Sequence, residues 1–199
     1  RRRIEAACVD MWEPFRLSLR EWAPQCKIVY DKFHILQHAN GAVDEVRRAE
    51  FFRKSPKMRE LIKGKRWLLL SRWKHLNSQK RGVLNRLFHL NRRVFKAYML
   101  KESLESLWNY RYERAMVNYL RRWMDQLKWQ RLRPFEKLSV MLAKHIDGIL
   151  NYCRTKVRFG VVEAVNGNIR MLINRGRGYA NMHYLLLKAK RIAFTNTEY

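Results

Sequence analysis

Between Ile4 and Asp31 the chain runs strand, acid, helix, strand, acid, and that order leaves few folds open. Ile4-Glu-Ala-Ala-Cys-Val9 reads as a short buried strand that ends at Asp10. Pro14 suits the first turn of a helix, where its missing N–H costs nothing. Phe15, Leu19 and Trp22 make a sparse apolar stripe on that helix, which stops before Pro24. Lys27-Ile-Val-Tyr30 is a second β-branched run, ended by Asp31. A strand, a crossover helix and a second strand give a parallel pair whose carboxyl ends lie on one side of the sheet. In open α/β sheets, sites form at those ends. Asp10 and Asp31 both occupy them. The fold class read here is α/β and mostly helical.

The rest of the chain reads as helices. Phe33 to Lys54 is a long one, with Asp31 placed to cap it. Ile35, Ala39, Ala42, Val43, Val46 and Ala49 form its inner stripe, and Ser55-Pro56 interrupts it. Residues 57–79 are less regular, with Arg66-Trp-Leu-Leu-Leu70 as a packing element and Trp73 as an anchor. Three stripes follow. Leu84, Leu87, Phe88, Asn91, Val94, Phe95 and Tyr98 make the first; Trp108, Tyr112, Ala115, Tyr119, Trp123 and Leu127 the second; Phe135, Leu138, Leu142, Ile149 and Cys153 the third. A last helix spans His183 to Phe194, with Leu185, Leu186, Ala189 and Ile192 inside. At 47% hydrophobic, with seven Trp, nine Tyr and nine Phe, the chain can bury a core of its own.

Charge narrows the function. Forty-three Lys and Arg against 17 Asp and Glu leave a formal +26, which attracts polyanions. Nucleic acid is the first partner, with affinity falling steeply as salt rises; an anionic membrane surface is the second. No apolar run approaches the ~18 residues that a membrane span needs. Cys8, Cys26 and Cys153 form no Cys-x-x-Cys pair, which reads as a reduced intracellular protein. The chain starts without Met, shortly before a strand-like run, as the C-terminal part of a longer protein would.

Past Gly160 another helix carries a single acid in basic surroundings. Val162, Val165, Ile169, Leu172 and Ile173 form its apolar face. Glu163, Asn166, Gly167, Arg170 and Asn174 recur on a different face. That face can hold a metal ion beside a phosphate backbone, or simply be solvated with its acid favoured by the helix dipole. Arg175 and Arg177, set among Gly176 and Gly178, are placed to clamp a phosphate. Two acids at adjacent strand ends and one on a later helix can together coordinate a hard divalent cation such as Mg²⁺. His34 and His38 have a zinc-compatible spacing but no Cys or further His nearby. His34 reads better as a supporting or packing residue.

Several blocks occur in a fixed order: Val9-Asp-Met-Trp12, Asp31-Lys-Phe-His34, Val43-Asp-Glu-Val-Arg-Arg48, Gly160-Val-Val-Glu-Ala-Val-Asn166 and Arg177-Gly-Tyr179. Smaller echoes are Arg66-Trp-Leu-Leu-Leu70, Asn91 and Ala97-Tyr-Met-Leu-Lys-Glu102. Together they resemble the ISL-three family of bacterial insertion-sequence transposases, over nearly the whole chain. The resemblance implies a ribonuclease-H-like fold of the retroviral-integrase kind, with a catalytic triad of two Asp and one Glu and a helical insertion before the Glu. Asp10 then matches the second Asp and Glu163 the Glu, both as catalytic residues and metal ligands. Asp31 and His34 match a motif after the next strand, and they and Asn166 are expected as supporting or structural residues. The first triad Asp lies upstream of this chain, which is thereby expected to be inactive alone. The implied layout is residues 1–54 for the second part of the core, 55–150 for the insertion, and 151–199 for the Glu-bearing helix and core end. The implied cofactor is Mg²⁺ or Mn²⁺, two ions in the full enzyme. The implied partner is DNA, as element ends and target, bound by a homodimer or larger assembly in the bacterial cytoplasm, nucleoid-associated and away from membranes. Arg170, Arg175 and Arg177 are the expected DNA contacts, by position and charge. The alternatives are a non-catalytic remnant that occupies element ends and represses transposition, and a basic helical RNA-binding protein.

Overall fold

In the computed structural model, residues 4–53, 55–155, 161–176 and 179–195 are described. The chain divides into two compact units, Arg1–Val157 and Arg158–Tyr199. In the first, strand β1 (Ala6–Val9) pairs in parallel with β2 (Lys27–Tyr30), in the register Ala6↔Lys27 through Val9↔Tyr30. Helix α1 (Glu13–Trp22) is the crossover, with Pro14 in its first turn. The parallel pair expected from the sequence is therefore present. The apolar stripe of α1 is not inside, however. Phe15 is 45% and Trp22 55% exposed, and none of the helix's residues is buried. Periodicity identifies a face but not what covers it.

Helix α2 (Lys32–Arg53) is the spine of this unit. It packs on α3 (Pro56–Ile62), α4 (Arg66–Leu70), α6 (Arg92–Glu105) and α8 (Arg133–Lys144). Ile35, Ala39, Ala42, Val43 and Val46 are buried as the periodicity predicts, and each large one contributes roughly 1.5–3 kcal/mol. The stripe then closes on Glu50, while Ala49 is exposed. A buried carboxylate needs partners, and Glu50 has two. Arg93 Nε lies 3.0 Å from Oε1, and Asn91 Nδ2 donates to Oε2 at 3.1 Å.

Asn91 also breaks what reads in the sequence as one continuous stripe. It ends α5 (Ser78–Leu90) with extended backbone, and its Oδ1 accepts the Val94 amide at 3.1 Å, capping α6. A second correction concerns α7 (Glu113–Leu127). Tyr112 precedes this helix and is exposed, so the buried stripe is Met116, Leu120, Trp123 and Leu127. Helix α9 (Ile146–Thr155) then packs on β2, where Asn151 Nδ2 donates to the Ile28 carbonyl at 2.9 Å. Gly148 permits this contact, because a Cβ there would lie 2.3 Å from the Tyr30 ring.

Buried Lys101 ties α6 to the end of α4. Its ammonium donates to the Leu69 carbonyl at 3.1 Å and the Ser71 carbonyl at 2.8 Å, and pairs with Glu102 at 2.8 Å. Burial nevertheless pushes its pKa below the usual lysine value. Tyr98 Oη donates to the same Ser71 carbonyl at 3.1 Å.

The second unit is a pair of packed helices, α10 (Val161–Arg175) and α11 (Met182–Thr195). Gly176 gives room to the Tyr179 ring, since a Cβ there would lie 2.5 Å from it. Asn181 Oδ1 accepts the Tyr184 amide at 3.1 Å and caps α11. Ile173 and Leu186, expected inside, are exposed, while Ile169, Leu172, Leu185, Ala189 and Ile192 are half-buried. No helix among the described residues is long and apolar enough to cross a membrane.

Asn91 serves as both cap and carboxylate partner, so its loss leaves an orphan helix end and an undersatisfied buried acid. Asn91→Ala should cost roughly 2–4 kcal/mol in urea unfolding. A cost below about 0.5 kcal/mol would show that the Glu50 network contributes little.

Candidate metal centre at the strand ends

The β1–β2 register sets the site. The Asp31 amide donates to the Val9 carbonyl at 3.0 Å, so the acids that follow the two strands emerge side by side. Asp31 then starts α2, its Oδ1 accepting the Phe33 amide at 2.9 Å as an N-cap does. His34 sits in the first turn of α2. Helical side chains lean toward the helix N-terminus, and His34 Nε2 lies 2.6 Å from Asp10 Oδ1. One donor atom from each of Asp10, Asp31 and His34 falls within 4.8 Å of the others.

Several features fit this group to a divalent cation. The donors are two carboxylates and an imidazole, a set suited to Mn²⁺ and compatible with Mg²⁺ through the acids. Asp31 is 7% exposed, and capping leaves its carboxylate further acceptor positions. Asp10 and His34 have side chains 45% and 41% exposed, which leaves a substrate access. At that exposure the Asp10–His34 contact is worth at most about 1 kcal/mol, too little to be a device for stability. Beneath the acids, Cys8 stays a thiol: burial first, then the Asp31 and Asp10 carboxylates, push its pKa up to about 11.

His38 does not join His34 in the acid cluster; the two instead line a neighbouring cleft together. Burial, then the proximity of His34 and His145, hold its pKa below the usual imidazole value. The direct His34–Asp10 contact is not readable from the sequence alone; the Asp31-x-x-His34 spacing, which puts the ring one turn into the helix, is the signal that points to it.

Glu163 lies in the first turn of α10. Its side chain and that of Asn166 lie outside the described residues, as does Arg177. Further along α10, Gly167, Arg170, Asn174 and Arg175 are exposed, and Gly167 has open space where a side chain would stand. In the first unit Arg121, Arg122, Lys128, Arg131 and Arg133 are also exposed.

The chain belongs to the ISL-three transposase family, whose model, described as a transposase, matches residues 1–189. Over 191 residues it is 29% identical to the transposase for insertion sequence element IS1001 of Bordetella parapertussis, an alignment that covers 94% of this chain and 47% of that protein. It is 26% identical over 131 residues to the transposase for insertion sequence element IS1557 of Mycobacterium tuberculosis, covering 64% of this chain and 29% of the relative. The chain thus spans less than half the length of these relatives. No solved structure matches it.

The geometry separates the roles of the two aspartates. Asp31→Ala should cost about 1 kcal/mol through the lost cap, and Asp31→Asn should restore most of it. Asp10→Asn should change stability by less than about 0.5 kcal/mol. Millimolar Mn²⁺ should raise the melting temperature of the wild type but not of Asp10→Asn. An equal rise in both would remove Asp10 from the ion site.

Proposed function

We propose that this chain is part of a metal-dependent DDE transposase that cleaves DNA at element ends and joins the freed ends to target DNA. The observation that carries this reading is the Asp10, Asp31 and His34 cluster at the carboxyl ends of a parallel strand pair, in a chain of a transposase family. The wider fold proposed is ribonuclease-H-like, with residues 55–150 as a helical insertion between core segments 1–54 and 151–199. In the complete protein Asp10 and Glu163 hold divalent cations, Mg²⁺ or Mn²⁺, together with an acid from outside this chain. Two such ions, when bound, activate the attacking oxygen and stabilise the leaving oxygen of an in-line phosphodiester displacement.

The chain's own residues prepare that site. Asp31 fixes the start of α2 and, with it, the position of His34. His34 in turn orients the Asp10 carboxylate. The proposed reaction is hydrolysis at the element end, which frees a 3′-hydroxyl, followed by attack of that hydroxyl on a target phosphodiester. The formal +26 supplies the attraction for both DNA segments. Arg170 and Arg175 are the proposed phosphate contacts on α10, with Arg177 beyond them and Asn166 beside Glu163. A homodimer or larger assembly would bring two element ends together.

In the complete protein, Asp10→Asn or Glu163→Gln should lower strand cleavage and joining at least about a hundredfold while leaving end binding within a few fold. Full joining activity in either variant would overturn the assignment of that acid. End binding with no cleavage by the wild type, given Mg²⁺ or Mn²⁺, would point instead to a non-catalytic binder. If Arg170 and Arg175 meet phosphates, replacing each by Ala should reduce the salt slope of DNA binding by about one. An unchanged slope would place them off the DNA.

A further inference from the structure

A cleft of about 500 Å³ runs between α2 and α8 and shares His34 with the acid cluster. That volume is in the range of sites for small organic groups. Gln37, His38 and Glu45 on α2 and Lys137 on α8 line it with donors and acceptors, while Leu138 and Met141 supply apolar wall. The mixture matches a nucleobase, which is apolar on its faces and polar along its edges. A bare phosphate matches it less well, because Glu45 offsets Lys137 in the lining.

Gly41 lies in the middle of α2, on the cleft wall, and is exposed. A glycine inside a helix costs about 1 kcal/mol relative to alanine. Among the described residues no packing contact requires it at this position, since a Cβ on Gly41 would meet no atom within 4 Å. The missing side chain widens the cleft.

We infer that this cleft is a binding subsite for one unstacked base of the DNA strand held at the acid cluster, with Gly41 leaving room for the ring against the α2 backbone. The energy of unstacking is met by apolar contact with the α8 wall and by hydrogen bonds to the base edge. The inference rests on the proposed DNA-strand activity at Asp10 and names the part of the substrate that lies beside it.

The test uses the complete transposase with duplexes of its element end. Each carries 2-aminopurine at one position near the cleaved phosphate, and no divalent ion is added. Binding should raise the fluorescence several-fold at one position, the mark of a base out of the stack. Gly41→Leu, whose Cβ would meet no atom within 4 Å and whose side chain would enter the cleft, should abolish the rise and keep end affinity within about threefold. Gly41→Ala should keep most of it. Met141→Trp fills the cleft from the opposite wall and should act like Gly41→Leu. Normal end binding with no fluorescence rise at any position would overturn this inference and leave the proposed function standing. So would a rise that persists in both Gly41→Leu and Met141→Trp. Failure of the wild type to bind element ends would overturn the proposed function, and this inference with it.

Discussion

The hydrogen bond from the Asp31 amide to the Val9 carbonyl is the constraint on which the first unit turns. It closes the last pair of the β1–β2 register, Val9↔Tyr30. The acids at the two strand ends are thereby neighbours, although the α1 crossover separates them along the chain. The same residue that closes the register opens α2 through its side-chain cap. Because α2 is the spine against which α3, α4, α6 and α8 pack, its starting point sets the phase of the buried face. A shift of one residue at Asp31 would turn Ile35, Ala39 and Val43 out of the core and carry His34 away from Asp10.

A chain with so large an excess of cations must hold itself together against its own charge. Its acids are used accordingly. Asp44 pairs with Arg47 at 2.7 Å and lies 3.5 Å from both Arg48 and Arg66. Glu50 meets Arg93, Glu105 meets Arg72, and Glu113 meets Arg154 across from α9. These acids tie a helix to another helix, to a neighbouring loop or to itself. Asp10 instead meets an imidazole, at an exposed position where the contact adds little stability. The contrast sets Asp10 apart from these structural acids, in keeping with the role proposed for it.

The βαβ unit was legible because its signals are local: Pro14 at a helix start, a β-branched run before Asp31, an acid after each strand. The cap at Asp31 is a signal of the same local kind, while Asn91 hid within an apolar stripe whose spacing spans the break between α5 and α6. The family blocks were legible as words but not as contacts. Arg66-Trp-Leu-Leu-Leu70 and Ala97-Tyr-Met-Leu-Lys-Glu102 meet through Lys101 and Tyr98, which bond the carbonyls at the end of α4. Nothing in their spacing predicts that junction, because it depends on tertiary packing. Glu50 was missed for the same reason: a charged residue is placed outside unless its partners are known, and Asn91 and Arg93 are far along the chain. At the site, strand ends and spacing gave Asp10, Asp31 and His34 as candidates, but only the fold shows that they converge.

The central claim is that Asp10 and Glu163 serve one metal centre in the complete protein. Iron-directed cleavage of the polypeptide tests it most directly. Fe²⁺ replaces the divalent ion, and ascorbate with peroxide generates radicals that cut the chain close to where the iron sits; mass spectrometry then locates the cuts. The account predicts cuts clustered around Asp10, Asp31 and Glu163 together, all lost in Asp10→Asn. Cuts confined to the strand ends, with none around Glu163, would contradict it.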